Sequence, residues 1–394
     1  MDQTPMFPVD ARFHFGRDFK IIVATGGPCG GKITLSRKVI DWLKKDYGYS
    51  VFLLEEIASE LFDHGILIDP VNHIPNKDFQ EKLKIPYQLL KENIWVQGAS
   101  LSADPKKLVW LDRSVLDDEQ YAGKPLFNRV LSSYGLSRMD VRDRRSDAVL
   151  HFETAAALGS EFYVNNINRT ETWEKALGRD LLIQHSWVGH RHWRMIPAMV
   201  NKGDKLELLK RHVLAILGEP EPIEIERKFL VEVTDPATLL VPNATSTIEQ
   251  MYLLPNENGV RSRIRKVSCG ASAMCFETVK TLISQGKYSE KEKEISLQEY
   301  LYLSGRRDPK RTKVKKTRTC FIYKHQYFEL DNFLKPYTNL AFLEIELLNE
   351  NDPVDLPPFV KVIREVTGIN TFSNSSLANL SLGPARALTN ADLK

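Results

Sequence analysis

The sequence predicts two domains of different class: an α/β domain with a parallel sheet and flanking helices, then an α+β domain built on an antiparallel tunnel of about eight strands. Three observations predict it. A continuous apolar run, FKIIVAT at 19–25, leads into a glycine-rich loop and then a helical stretch. Two prolines, Pro220 and Pro222, then break the chain after a helical segment. Beyond them, charged and apolar residues alternate along one short segment after another, beginning with EIERKFLV at 224–231.

Bulk properties agree with this layout. At 394 residues the chain exceeds one compact core, so about two or three domains are expected. Hydrophobic content of 42%, charged content of 27% and a net charge of +3 describe an ordinary globular protein and call for no DNA or RNA partner. No apolar run reaches the roughly 18–20 residues of a membrane span, and MDQTPMFPVDARFHF lacks the layout of a secretory signal. Cys29, Cys269, Cys275 and Cys320 form no CxxC pair and no zinc spacing. Reduced thiols in a cytoplasmic protein are therefore expected.

In chain order, a polar lead occupies 1–18 and the α/β domain 19–218. Its strands are 19–25, VFLLEE at 51–56 and KLVWLD at 107–112. Helices are expected from Thr34 to about Lys45, over 161–180 and over 203–217, which is the alternation of a parallel α/β fold. A linker at 219–222 precedes the tunnel domain at 223–376, and a tail rich in Ser, Asn and Ala fills 377–394.

The loop Gly26-Gly27-Pro28-Cys29-Gly30-Gly31-Lys32 stands between a strand and a helix, the setting a phosphate-binding P-loop requires. Its amides and the helix N-terminus would cradle polyphosphate, and Lys32 would reach the terminal phosphates. The motif asks for Ser or Thr after the lysine to hold Mg²⁺. Here Ile33 stands there, and Thr34 lies about 100° further around the helix. Asp112 ends a strand and reads either as a metal-anchoring acid or as a helix cap. Glu55 and Glu56 end another strand and either face substrate or cap a helix. Arg169, in the lid-like segment NNINR, is the expected phosphate clamp. His190 and His192 read as structural histidines, since no third metal ligand lies in reach by sequence. Cys29 reads as a small residue that fits the loop rather than as a reactive thiol.

TGGPCGGK, a strand-end acid, LDR, FYVNNINR and WVGHRH, in that order over 19–218, resemble the AAA-type, kinase-like P-loop ATPases. The resemblance implies a mononucleotide-kinase-like core that binds ATP or GTP, with Lys32 and Asp112 in phosphate and metal roles. Ile33 departs from the family's Thr or Ser, which bears on Mg²⁺-dependent turnover more than on nucleotide binding.

In EIERKFLV an extended strand puts Glu224, Glu226 and Lys228 on one face, with Ile225, Phe229 and Val231 on the other. The sorting recurs with Arg261, Arg263 and Arg265, then Lys280, then Glu292 and Glu294, Lys316 and Arg318, Glu329 and Asp331, and Glu344 and Glu346. A sheet with one wet face would also alternate, but would mix neutral residues into that face. Segments carrying paired acids or paired bases suit a barrel with an ionic interior, in which bases grip polyphosphate and acids hold Mg²⁺ or Mn²⁺.

This series resembles the CYTH family, the triphosphate tunnel metalloenzymes, over about 223–376: ExExK at Glu224, Glu226 and Lys228, then RIR, VK, KTR, ELD, LEIE and VTGINTFSN. The resemblance implies an eight-stranded tunnel that binds a triphosphate or polyphosphate with divalent metal. Glu224, Glu226, Asp331, Glu344 and Glu346 would hold the metal. Lys228, Arg263, Arg265, Lys280, Lys316 and Arg318 would bind phosphate. Lys228, Arg318 and Glu294 are the expected catalytic groups. The whole chain resembles P-loop/CYTH fusion proteins, including the TRPL translocation defect protein family. A basic segment, 306–318, reads either as a phosphoinositide or membrane-surface contact or as a solvated loop. The function expected is nucleotide binding joined to triphosphate hydrolysis. The alternative is a non-catalytic regulator of trafficking or signalling that binds nucleotide and phosphoinositide.

Overall fold

A computed structural model describes residues 17–68, 74–164, 171–221, 223–257, 262–284 and 287–379. The expectations on Arg169, Arg261, Pro222 and the tail beyond 379 lie outside the described residues. The chain divides into two compact units, Met1–Arg211 and His212–Lys394.

The first unit holds a five-stranded parallel sheet of β1 (Lys20–Gly26), β2 (Ser50–Leu54), β3 (Lys107–Asp112), β4 (Ala148–Phe152) and β5 (Trp193–Ile196), in the order β2-β3-β1-β4-β5. Helices Lys32–Tyr47, Ile85–Leu101 and Trp173–Trp187 pack on it. Ile21, Ile22, Val23 and Ala24 of β1 and Leu108–Leu111 of β3 are completely buried. A parallel strand covered on both faces has no wet side, which is why these segments read as unbroken apolar runs. The helix expected over 161–180 instead begins at Trp173, where the Thr172 hydroxyl caps it by accepting from the Lys175 amide. An N-cap oxygen that satisfies a free first-turn amide sets the start better than hydrophobic period alone.

The second unit is a nine-stranded sheet: β6 (Ile223–Val231), β7 (Asn243–Tyr252), β8 (Arg263–Cys269), β9 (Ser272–Ser284), β10 (Lys287–Ile295), β11 (Val314–Tyr323), β12 (Gln326–Lys335), β13 (Ala341–Leu347) and β14 (Val362–Glu365). The order is β10-β9-β8-β7-β11-β12-β13-β6-β14, every pairing is antiparallel, and β10 also pairs with β6. That last pairing, Tyr288↔Glu224, closes eight strands into a ring. β14 is a ninth strand, hung on the C-terminal half of β6 opposite β13.

Alternation along the ring separates two environments. Phe229, Phe321, Phe328, Leu330, Leu343 and Ile345 share one apolar cluster, while the intervening positions carry the charges. At one end the charged face also turns apolar: Leu230, Val314, Phe333 and Phe342 pack with Phe372 and Leu377. The ionic stretch is thus bounded by a dry end.

Candidate phosphate-binding sites

The P-loop leaves β1 between two neighbours in register, Ala24 against Asp112 and Gly26 against Phe152. Gly26 has φ 130°, and a Cβ there would lie 2.0 Å from the Phe152 carbonyl oxygen. Only glycine fits. A Cβ on Gly27 would lie 2.6 Å from the Asp180 carboxylate, which accepts the Gly27 amide hydrogen. His151, completely buried, lies 3.1 Å from the same oxygen. On the other side Lys205 donates to the Gly30 carbonyl at 3.0 Å, and burial lowers its ammonium to about 8. The Thr154 hydroxyl donates to the Pro28 carbonyl. Sequence reasoning missed Asp180, His151, Thr154 and Lys205, because they come from three segments far from the loop and carry no local motif.

Lys32 is buried at the start of its helix and ion-paired with Asp112. Burial lowers its ammonium to about 8, against the pull of Glu56 and Asp117, and the Arg113 charge adds to the depression. Asp112 is not the cap: Ser114 and Asp117 form the capping box of the next turn. The structure also separates Glu55 from Glu56. Glu55 is exposed and pairs with Arg37 at 2.6 Å, whereas Glu56 turns in and accepts from Arg113 Nε at 2.6 Å. Burial opposes the charge on Glu56, but Arg113 and Lys32 outweigh it and bring the carboxyl to about 2. Ile33 and Thr34 are both exposed in the first helical turn. Cys29 has φ 63°, and its thiol lies 3.5 Å from the Val164 carbonyl. His190 is completely buried and 3.3 Å from the Ser146 hydroxyl.

In the second unit the sequence-picked charges converge. Register sets Glu344 opposite Lys228, with an ion pair at 2.9 Å, and Glu346 opposite Glu226. Arg318 donates to Asp331 and Glu344 at 2.7 and 2.8 Å and also pairs with Glu329. Lys316, buried, pairs with Asp331, and burial lowers its ammonium. Lys280 stands among Glu224, Glu226 and Glu290 at 2.6, 3.5 and 3.4 Å. Arg263 lies 3.5 Å from Glu290, and Arg265 pairs with Glu292. The Glu346 charge acts on both Glu224 and Glu329, and the Arg318 charge on Arg265. The two groups of charges therefore share one interior.

Acids outnumber bases there, and the carboxyls split: against the cost of burial, Arg263 and Lys280 bring Glu290 down to about 2, and Lys228, Lys316 and Arg318 hold Glu344 well below its ordinary range. Burial raises Glu224 well above its ordinary range against the pull of Lys280, with Glu290, Glu346 and Glu226 adding to the rise. Burial also raises Glu329 to about 7 despite Arg318, helped by Asp331, Glu346 and Glu344. Carboxylates forced together in this way are hard oxygen donors of the kind Mg²⁺ and Mn²⁺ take. Among the described residues, no three His, Cys, Asp or Glu side chains are gathered closely enough to form a finished metal cage, and the acids are engaged by bases instead. Glu290 was missed beside Glu292 and Glu294 because all three share one face of β10 and alternation alone cannot rank them. Glu294 is buried on the same strand.

Among the described residues no helix is long and apolar enough to cross a membrane.

Residues 21–203 match the family model of the AAA domain. No curated protein matches the chain. Solved structures similar to it include an inorganic triphosphatase, 28% identical at a TM-score of 0.28, the match covering 39% of this chain and 93% of that one. A Hippeastrum protein described as having a dominant triphosphatase activity is 14% identical at a TM-score of 0.24, over 32% of this chain and 80% of that one. A Pyrococcus horikoshii protein is 24% identical at a TM-score of 0.26, over 33% of this chain and 80% of that one. Likenesses of this size say nothing by themselves about ligand or reaction, which rest on the side chains described above.

Proposed function

We propose that the chain joins a P-loop unit that binds ATP or GTP to a tunnel unit that hydrolyses a triphosphate with divalent metal, an arrangement of the P-loop/CYTH fusion type resembling the TRPL translocation defect proteins. The observation that carries this reading is the shared ionic interior, in which Lys228, Arg263, Arg265, Lys280, Lys316 and Arg318 meet the carboxylates of four strands, β6, β10, β12 and β13. Those bases are the phosphate grip, and Lys228, Arg318 and Glu294 are the groups assigned to catalysis. Glu224, Glu226, Glu344, Glu346 and Asp331 would hold Mg²⁺ or Mn²⁺, with Glu290 and Glu329 beside them. Bound there, the metal supplies charge neutralisation at the triphosphate oxygens. Positioning and electrostatics account for most phosphoryl-transfer catalysis, so no covalent nucleophile is required of the protein. In the first unit, Gly26–Thr34 and Asp112 form the nucleotide site.

A second reading draws on the ion pairs that already engage the acids: a non-catalytic grip on polyphosphate or phosphoinositide. Phosphate release from tripolyphosphate and from ATP, with Mg²⁺ or Mn²⁺, separates the two. Metal-dependent release by the wild type that falls about a hundredfold or more in Glu226→Ala supports the enzyme. Tight binding with no release by either protein supports the grip.

A further inference from the structure

Arg113, which the reaction assigned above does not use, occupies an unusual position. It follows Asp112 at the tip of β3 with φ 71°, a left-handed conformation costly for a residue with a Cβ. Its amide donates to the Ala24 carbonyl at 2.9 Å, which ties that conformation to the root of the P-loop. Its side chain is 12% exposed. Glu56 accepts from Nε at 2.6 Å, while Nη1 is buried and has no hydrogen-bond partner. The guanidinium charge is also near enough to Lys32 to help depress that ammonium. A strained backbone and a buried N–H without an acceptor count against the fold unless an acceptor from a ligand belongs there, beside the Glu56 carboxylate that already faces both cations. Strain of this kind concentrates at ligand clamps, and the planar fork of arginine suits phosphate oxygens.

We propose that Arg113 reads the terminal phosphate of the nucleotide in the P-loop. Glu56 holds its Nε edge, and Nη1 donates to a terminal phosphate oxygen alongside Lys32. Arg113 thus takes the clamp role that sequence gave to Arg169. The inference rests on the P-loop unit being a nucleotide site, and it adds a specific prediction: the unit's preference for triphosphate over diphosphate depends on this side chain, Lys32 alone being insufficient for it.

Calorimetric titration of the full chain with ATP, ADP, GTP and GDP tests it. The wild type should favour triphosphate over diphosphate by about tenfold or more, the worth of one charge-assisted hydrogen bond. Arg113→Gly suits the left-handed backbone, so the φ strain is relieved as the guanidinium is removed. Arg113→Gly with Glu56→Gln also avoids leaving a buried carboxylate unpaired. In both, the preference should fall to within about twofold through loss of triphosphate affinity, with diphosphate affinity unchanged. Arg113→Lys keeps the charge but has no second edge, so it should lose most of the preference and covers the case in which the glycine variants do not fold. A wild-type ratio retained in the folded variants, or equal loss of both affinities, overturns the inference and leaves the nucleotide site standing. A wild type that binds none of the four nucleotides overturns the nucleotide reading itself.

Discussion

Lys32 shows how one side chain meets two opposed demands. To reach phosphate it must sit at a helix start inside the fold, and that burial weakens the charge that phosphate needs. With its ammonium lowered to about 8, nucleotide affinity should fall as pH rises from about 8 to 10. In Lys32→Arg, which stays charged over that range, affinity should be weaker but flat. Titration calorimetry across the range checks both. The lysine itself was legible because a P-loop is a contiguous string. Its surroundings were not: Glu55 and Glu56 are neighbours at one strand end, and only the turn of the chain decides which of them meets Arg113. Asp180 and Lys205 hold the loop through hydrogen bonds from distant segments, and His151 lies against Asp180. No spacing rule encodes such contacts.

The ring strands divide their work by alternation. One face of β6, β11, β12 and β13 buries Phe229, Phe321, Phe328, Leu343 and Ile345, and the other crowds carboxylates and cations. Glu329 is the clearest consequence. Its carboxyl stands at about 7 in the folded protein against an ordinary 4.5, so the native state binds the extra proton. The stability this contributes is complete below pH 4.5 and is lost as pH rises through about 7, on the order of 3 kcal/mol across the window. Melting temperature should therefore fall between pH 5 and 8, and Glu329→Gln should flatten that decline. A profile identical in the two proteins would remove the crowding argument. This alternation is what made the strands readable, since side-chain period in a strand is fixed at two. Less was readable in the first unit. β4 and β5 have only five and four residues, too short to show any period, and the closing pairing of β10 with β6 is set by tertiary register.

For the molecule as a whole, two units with separate cores present two proposed polyanion sites built on different physics. The P-loop offers backbone amides and one lysine at a helix start. The tunnel offers a lattice of paired ions whose acids outnumber its bases. The first site was visible in sequence as a contiguous glycine-rich string, and the second as acids and bases sorted in pairs onto one face of successive strands. Closure of the ring needed coordinates. The central claim is that the tunnel acids take a divalent cation together with a triphosphate, and Mn²⁺ electron paramagnetic resonance measures this without relying on turnover. Adding wild-type protein to Mn²⁺ and tripolyphosphate should deplete the Mn²⁺ signal that remains when protein is absent, and Glu226→Gln with Glu346→Gln should restore it. Equal depletion by the two proteins, or none by the wild type at saturating tripolyphosphate, would contradict the account.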